Sequence, residues 1–275
     1  GKNTYHFFDE KLAKIALNSI LIDGQLREAI KEENFVLHYQ PKMRLKDNSL
    51  CGVEALIRWQ KTPNELVYPD CFIHIAEKNG LIREITYWLL NKACQTLKSW
   101  ENTSLANIPM SLNISAIDFA DPYFVEQVFQ LIDKYNINPA LLELELTEST
   151  FFNDIGSVQE KIKKLKSKKI KLAIDDFGTG FSSFAYLRDM ELDFLKIDKS
   201  FVLGMLDDEK SQAIVKSIID VGINLGFKIV AEGIESASIM ALLTQQGCHI
   251  GQGYHMSKPI TEKMLLEFST DTLKK

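Results

Sequence analysis

"IKLAIDDFGTGFSSFAYLRDMELDFLKID" (170–198) reads as one strand–helix–strand unit. The apolar run Leu172-Ala173-Ile174 predicts a buried strand over 170–175, the pattern over 182–189 is helical, and 193–198 predicts the next strand. The first strand ends in two adjacent carboxylates, Asp175 and Asp176, and a Gly-x-Gly turn follows at once. Neighbouring anions at the end of a buried strand repel each other and resist desolvation. A cation, a salt-bridged Lys or Arg, or a shared proton has to compensate.

The same alternation extends in both directions. Short strands are predicted at 35–40, 50–59, 109–115, 141–147, 227–232 and 248–253 besides the two above. Helical patterns fall at 70–79, 81–101, 122–136, 154–168, 208–225, 236–246 and 261–269, and 11–33 reads as an amphipathic helix broken near Asp23-Gly24. Eight strands alternating with helices predict an α/β fold, a closed (β/α)₈ TIM-like barrel. One connection departs from this plan. Only "PKMRLKDNS" (41–49) joins the first two strands, which is too short for a parallel crossover. The first strand should therefore run antiparallel to the second, as a hairpin.

Composition narrows the class. The chain of 275 residues is 45% hydrophobic and carries a net charge of −5, which argues against a polymeric nucleic acid as partner. Its four cysteines form no Cys-x-x-Cys pair, so reduced thiols in a cytosol are expected. No apolar run approaches the length of a membrane span, and the N-terminus does not read as a signal peptide. The chain starts at Gly1 without Met, so a fragment is expected, with any membrane anchor lying outside it. The Lys-rich run at 161–171 reads as a solvated helix face.

Barrel enzymes work at the C-terminal ends of their strands. Those ends carry Asn113, Glu145, Asp175, Lys196, Glu232 and Gln252, and Glu54 sits inside the second strand among apolar residues. A single buried acid is usually a satisfied structural residue. Several converging on one rim, with Lys196 as the one obvious cation and Arg58 nearby, call for more positive charge. The candidate ligands are all oxygens, which favours Mg²⁺ or Mn²⁺ over zinc, and their number suggests two ions. Paired metals are a recurrent device for phosphodiester hydrolysis. Asp175 and Asp176 alternate along the strand, so both reach one site only if the chain bends at the strand end.

At these residues the chain resembles the EAL-domain cyclic di-GMP phosphodiesterases. The resemblance rests on "YQP" (39–41), "EALIRW" (54–59), "NIS" (113–115), "ELTES" (145–149), "DDFGTGFSS" (175–183), "LKID" (195–198), "AEGIE" (231–235) and "GQGY" (251–254). It implies that Glu54, Asn113, Glu145 and Asp175 hold one metal, and that Asp175, Asp176 and Glu232 hold the second. It implies that Lys196 holds the attacking water and the scissile phosphate, with Glu232 assisting as general base. Gln40, Leu56, Arg58, Glu235 and Gln252 match substrate-binding or further polar positions of the site. Glu148 matches a glutamate that anchors the loop over 177–183. Two departures, Phe181 and His255-Met256, do not touch the metal set.

The resemblance implies hydrolysis of cyclic di-GMP to linear 5′-pGpG with two Mg²⁺ or Mn²⁺ ions, inhibition by Ca²⁺, a homodimer and a cytoplasmic location. A receptor that binds cyclic di-GMP with negligible turnover is the alternative. "GKNTYHFF" resembles the last strand of a GGDEF domain, so residues 1–17 are expected to be the tail of such a domain and a linker helix, and 18–275 the EAL domain.

Overall fold

Barrel closure follows from one exception to parallel pairing. The computed structural model describes residues 10–151, 154–178 and 187–272. Its strands are β1 (Phe35–Arg44), β2 (Ser49–Thr62), β3 (Glu65–Val67), β4 (Met110–Ile114), β5 (Leu142–Thr147), β6 (Lys171–Phe177), β7 (Phe194–Ile197), β8 (Lys228–Ala231) and β9 (Ile250–Gly251). They form one sheet in the order β1-β9-β8-β7-β6-β5-β4-β2-β3, and β1 also pairs with β2. That last pairing closes eight strands into a barrel. From β2 through β4 to β9 all neighbours are parallel, whereas β1 meets β9 antiparallel, with Met43 opposite Gly251. β1 and β2 therefore form the expected antiparallel hairpin, its turn ending on Asn48 at φ 54°.

Two compact units share the chain: Gly1–Val36 with Ile57–Ile85, and Leu37–Leu56 with Thr86–Lys275. In the first, the helix Glu10–Lys31 runs without the break expected at Asp23-Gly24. Asp23 pairs with Arg27 one turn on, at 3.0 Å, and accepts from Asn79 Nδ2 at 2.7 Å, which supports the helix across Gly24. The expected helix over 70–79 is a 3₁₀ turn, Pro69–Cys71, followed by the helix Ile73–Lys78. β3 was not expected: β2 continues past Trp59, turns at Pro63-Asn64 and returns with Val67 opposite Trp59. Phe72 packs there, 6.0 Å from Trp59 and 6.1 Å from Phe35.

In the second unit the helices Phe124–Tyr135, Ile155–Ser167, Glu209–Asn224, Ala237–Gln245 and Glu262–Thr272 fall where the periodicity places them. Two short helices, Ala116–Ala120 and Lys199–Leu203, are additional. Each begins just after a strand and is capped by the residue before it. Ser115 accepts from Asp118 N, and Asp198 accepts from Ser200 N. These caps fix where the chain turns after Asn113 and after Lys196. The helix expected over 182–189 lies mostly outside the described residues.

Both faces of the strands are buried, but they differ in kind. Along β5, Leu142, Leu144 and Leu146 are fully buried on one face. Glu143 and Glu145 occupy the other, and both bond the ammonium of Lys42 from β1. The barrel interior is thus a charged layer, and the aliphatic core lies between strands and helices.

A carboxylate cluster around Lys196

Lys196 projects from β7 into the barrel and is fully buried. Its Nζ lies 2.5 Å from Glu145 Oε2, 2.8 Å from Glu232 Oε1, 3.0 Å from Asp175 Oδ1 and 3.8 Å from Glu54 Oε2. β2, β5, β6 and the end of β8 each deliver one acid to a single ammonium. Burial alone would lower the lysine's pKa. The surrounding carboxylates, Asp175 foremost, raise it well above its ordinary value.

The adjacent acids at the end of β6 reach one site through a bulge. Pairing with β7 slips between Ile174 and Phe177, and Asp176 takes a left-handed conformation at φ 53°. Asp176 N–H donates to Asp175 Oδ1 at 2.9 Å. The bend expected from the Gly-x-Gly turn thus begins two residues earlier, on Asp176 itself. Gly178 completes it at φ 100°, and a Cβ there would stand 2.9 Å from the Phe201 ring. Gly233, next to Glu232, has φ 70° and would bring a Cβ within 2.6 Å of Lys199 Cβ.

A polar chain extends the cluster sideways. Glu54 Oε1 accepts from Asn113 Nδ2 at 2.6 Å, and its Oε2 accepts from Gln252 Nε2 at 2.6 Å. Gln252 Nε2 also donates to Gln40 Oε1 at 2.9 Å, and Gln40 Nε2 donates to the Ser257 carbonyl at 3.2 Å. Four predicted acids, Glu54, Glu145, Asp175 and Glu232, therefore meet Lys196 directly, while Asn113 and Gln252 join through Glu54 and Gln40 through Gln252. Asp176 joins through Asp175 and Glu232, since one oxygen from each of the three lies within 4.8 Å of the other two.

Leu56 is half-buried on the face of β2 that carries Glu54. Arg58 belongs to the first unit, where its guanidinium lies 4.9 Å from the Tyr68 ring centre and donates to the Ile57 carbonyl at 2.8 Å. Glu235 is exposed in the loop after β8. Glu148 is buried in a 3₁₀ turn, Glu148–Phe151, right after β5, and so is no exposed surface acid. Of its expected partner loop, residues 179–183 lie outside the described residues.

Sequence reasoning missed Lys42 and Glu143. Lys42 Nζ bonds Glu143 Oε1 at 2.8 Å and Glu145 Oε1 at 2.6 Å, so Lys196 is not the barrel's one cation. The first strand, expected over 35–40, runs on through Pro41 to Arg44. The missed signal is alternation: Gln40 and Lys42 share a face, as do Glu143 and Glu145.

Electrostatics tests whether the cluster suits a metal. Glu145 lies between two ammonium groups; burial opposes its ionisation, but Lys196 and Lys42 prevail and lower its pKa to about 2. Burial raises Glu54 and Asp175 despite Lys196. Burial also carries Glu232 up to about 8, with Asp175 and Glu54 adding to the rise. The two ammoniums thus leave a surplus of negative charge, which the metal-free cluster relieves by holding protons. An all-oxygen set with surplus charge, three of whose oxygens converge, fits hard divalent cations.

Residues 23–259 match the EAL domain. The chain belongs to the EAL-domain family. It is 36% identical over 266 residues to the bifunctional diguanylate cyclase/cyclic di-GMP phosphodiesterase MucR of Pseudomonas aeruginosa, covering 97% of this chain and 39% of MucR. It is 34% identical over 268 residues to the cyclic di-GMP phosphodiesterase NbdA of the same organism, covering 98% of this chain and 34% of NbdA. The EAL chain therefore spans well under half the length of these curated relatives. The solved PaMucR phosphodiesterase–c-di-GMP complex superposes with a TM-score of 0.85 at 36% identity, over 89% of this chain and 99% of that one. The EAL enzyme Bd1971, bound to cAMP and cyclic di-GMP, gives a TM-score of 0.88 at 34% identity, over 92% of this chain and 69% of that one.

Among the described residues, no helix is long and apolar enough to cross a membrane. Cys51, Cys71, Cys94 and Cys248 form no disulfide in the structure.

Proposed function

We propose that this EAL domain is a metal-dependent phosphodiesterase that hydrolyses one phosphodiester of cyclic di-GMP to give linear 5′-pGpG. The observation that carries the reading is the convergence of Glu54, Glu145, Asp175 and Glu232 on Lys196, with Asp176 beside them. A pure receptor would need no such concentration of acids around a buried lysine.

Glu54, Asn113, Glu145 and Asp175 would hold one Mg²⁺ or Mn²⁺, and Asp175, Asp176 and Glu232 the other. When bound, such ions lower the pKa of a coordinated water and neutralise phosphate charge. Lys196, held protonated by its neighbours, presents a fixed positive charge to the phosphate, an interaction that strengthens as negative charge develops in the transition state. Glu232 would assist as the general base that accepts the proton of the attacking water. Gln252, itself paired with Gln40, locks Glu54, and both glutamines offer amides to the ligand. Leu56, Arg58 and Glu235 complete the binding surface. Ca²⁺, larger and less strict in geometry, inhibits.

The reading extends to the whole protein. Residues 1–17 are the end of an upstream GGDEF domain and its linker, the domain acts as a homodimer, and the location is cytoplasmic. The test is incubation with cyclic di-GMP and Mg²⁺ or Mn²⁺, with products separated by chromatography. Metal-dependent appearance of pGpG supports the proposal. Tight binding without product would make the domain a receptor.

A further inference from the structure

The barrel end remote from the carboxylate cluster opens into a cavity of about 370 Å³. It lies toward the start of the parallel strands: among its walls, Pro109, Ala140, Phe194 and Ile250 stand at or just before the beginning of their strands, with Val53 and Val230 a little further along theirs. A barrel floor that serves stability alone is filled with side chains. Here space remains, at the size of small-molecule sites.

The charges around that space are one-sided. Lys42, Arg44, Lys46, Lys171 and Lys228 line it, and the one acid in the lining, Glu143, is bonded to Lys42. The whole chain carries a net charge of −5, so this concentration of cations is not the background of a basic protein. Arg44 and Lys171 are paired at 3.2 Å and 3.1 Å to Asp47 and Asp193, acids outside the lining. Lys46 and Lys228 are exposed at the rim. Lys228 Nζ stands 6.0 Å from the Phe194 ring centre, so a flat apolar wall ends beside a cation. His249 Nδ1 accepts from Ile229 N–H at 3.1 Å, which leaves Nε2 as the ring's N–H donor at the rim.

We propose that this cavity is a second ligand site, for a small organic anion with an apolar, ring-sized body and one acidic head group. The body packs between Phe194, Val230 and Ile250, and the head group sits at the rim against Lys46, Lys228 and His249. Apolar walls alone would favour a neutral ligand, and rim lysines alone would attract any anion weakly. Their combination selects a molecule with both features.

The probe is 8-anilinonaphthalene-1-sulfonate, titrated by fluorescence into the whole chain with Mg²⁺ present. One saturable site is expected, undisturbed by excess cyclic di-GMP added with Ca²⁺. The rim variant Lys46→Glu/Lys228→Glu should weaken binding by at least about five-fold at low salt. Ala140→Trp, which fills the cavity, should remove the site, and circular dichroism melting shows whether it folds. The uncharged analogue N-phenyl-1-naphthylamine should bind more weakly and ignore the rim charges. Unchanged affinity in the surface double variant overturns the proposal even if Ala140→Trp does not fold. Displacement by cyclic di-GMP, or equal binding of the uncharged analogue, overturns it as well.

Discussion

Glu145 joins the barrel's two buried lysines: its Oε2 lies 2.5 Å from Lys196 Nζ, while its Oε1 lies 2.6 Å from Lys42 Nζ. Neither ammonium meets bulk water, so the carboxylate is held in one orientation by charge from both sides. That arrangement orders the functional predictions, because the two lysines act on the same acid to different ends.

Lys196→Ala removes the charge meant for the phosphate but leaves the acids in place. Turnover should fall by at least about a hundredfold. Affinity for cyclic di-GMP, measured by calorimetry with Ca²⁺ so that no hydrolysis intervenes, should change only a few-fold, because the lysine acts chiefly in the transition state. Parallel loss of affinity and turnover would make Lys196 an ordinary binding residue.

Lys42→Met should act first on stability. It strands Glu143 and Glu145 in the barrel, and breaking a buried ion pair costs about 3–5 kcal/mol, less whatever proton uptake relieves. Denaturant unfolding would measure the loss. Adding Glu143→Gln should recover part of it, since one stranded charge is then gone. If the double variant is no more stable than Lys42→Met, the pairing contributes nothing and the argument for Lys42 fails.

The barrel was legible because its strands are apolar runs and the polar residues that close them break that pattern. Loop length alone revealed the antiparallel start. What escaped reading lies where local rules compete with tertiary pairing. The second half of β1, and with it Lys42, lies beyond Pro41, and the strand continues through a proline that local propensity treats as a stop. The helix Ala116–Ala120 is a single turn or so, too short for a periodic signal, and depends on its Ser115 cap. The acids were readable one at a time, but their convergence on Lys196 rather than on separate partners depends on strand stagger, which no local pattern encodes.

Glu148 tests support from behind the cluster. It follows Glu145 by three residues, and with β5 ending at Thr147 the chain carries it into a buried 3₁₀ segment. We propose that its buried carboxylate steadies the backbone leading to Asp175 and Asp176. Glu148→Ala should weaken binding of one metal by about tenfold, the scale seen when supporting groups around metal ligands are removed. Turnover should drop at limiting Mg²⁺ and recover in part at high Mg²⁺ or Mn²⁺. Wild-type turnover by the variant at limiting metal would show that Glu148 gives no such support.

The metal-free protein should lose stability as the solution becomes alkaline. Burial lifts Glu232 from an ordinary 4.5 to about 8, with Lys196 working against the rise and Asp175 and Glu54 adding to it. Between those values the folded protein holds a proton that the unfolded chain has released, so folding weakens with rising pH until the folded carboxyl has ionised. Glu54 and Asp175, also raised, act with the same sign. Glu145, lowered to about 2, contributes in the opposite sense, but that contribution is lost only in strong acid. In chelator, the melting temperature should therefore be lower at about pH 8.5 than at about pH 6. Saturating Mg²⁺ should shrink or reverse the difference, because ions bind the deprotonated acids and stabilise the state that holds them. Glu232→Gln should reduce the slope in chelator by removing one of the titrating groups. A chelated protein that melts higher at alkaline pH would mean that the cluster stays ionised without metal, and that Lys196 and Lys42 alone suffice to balance it.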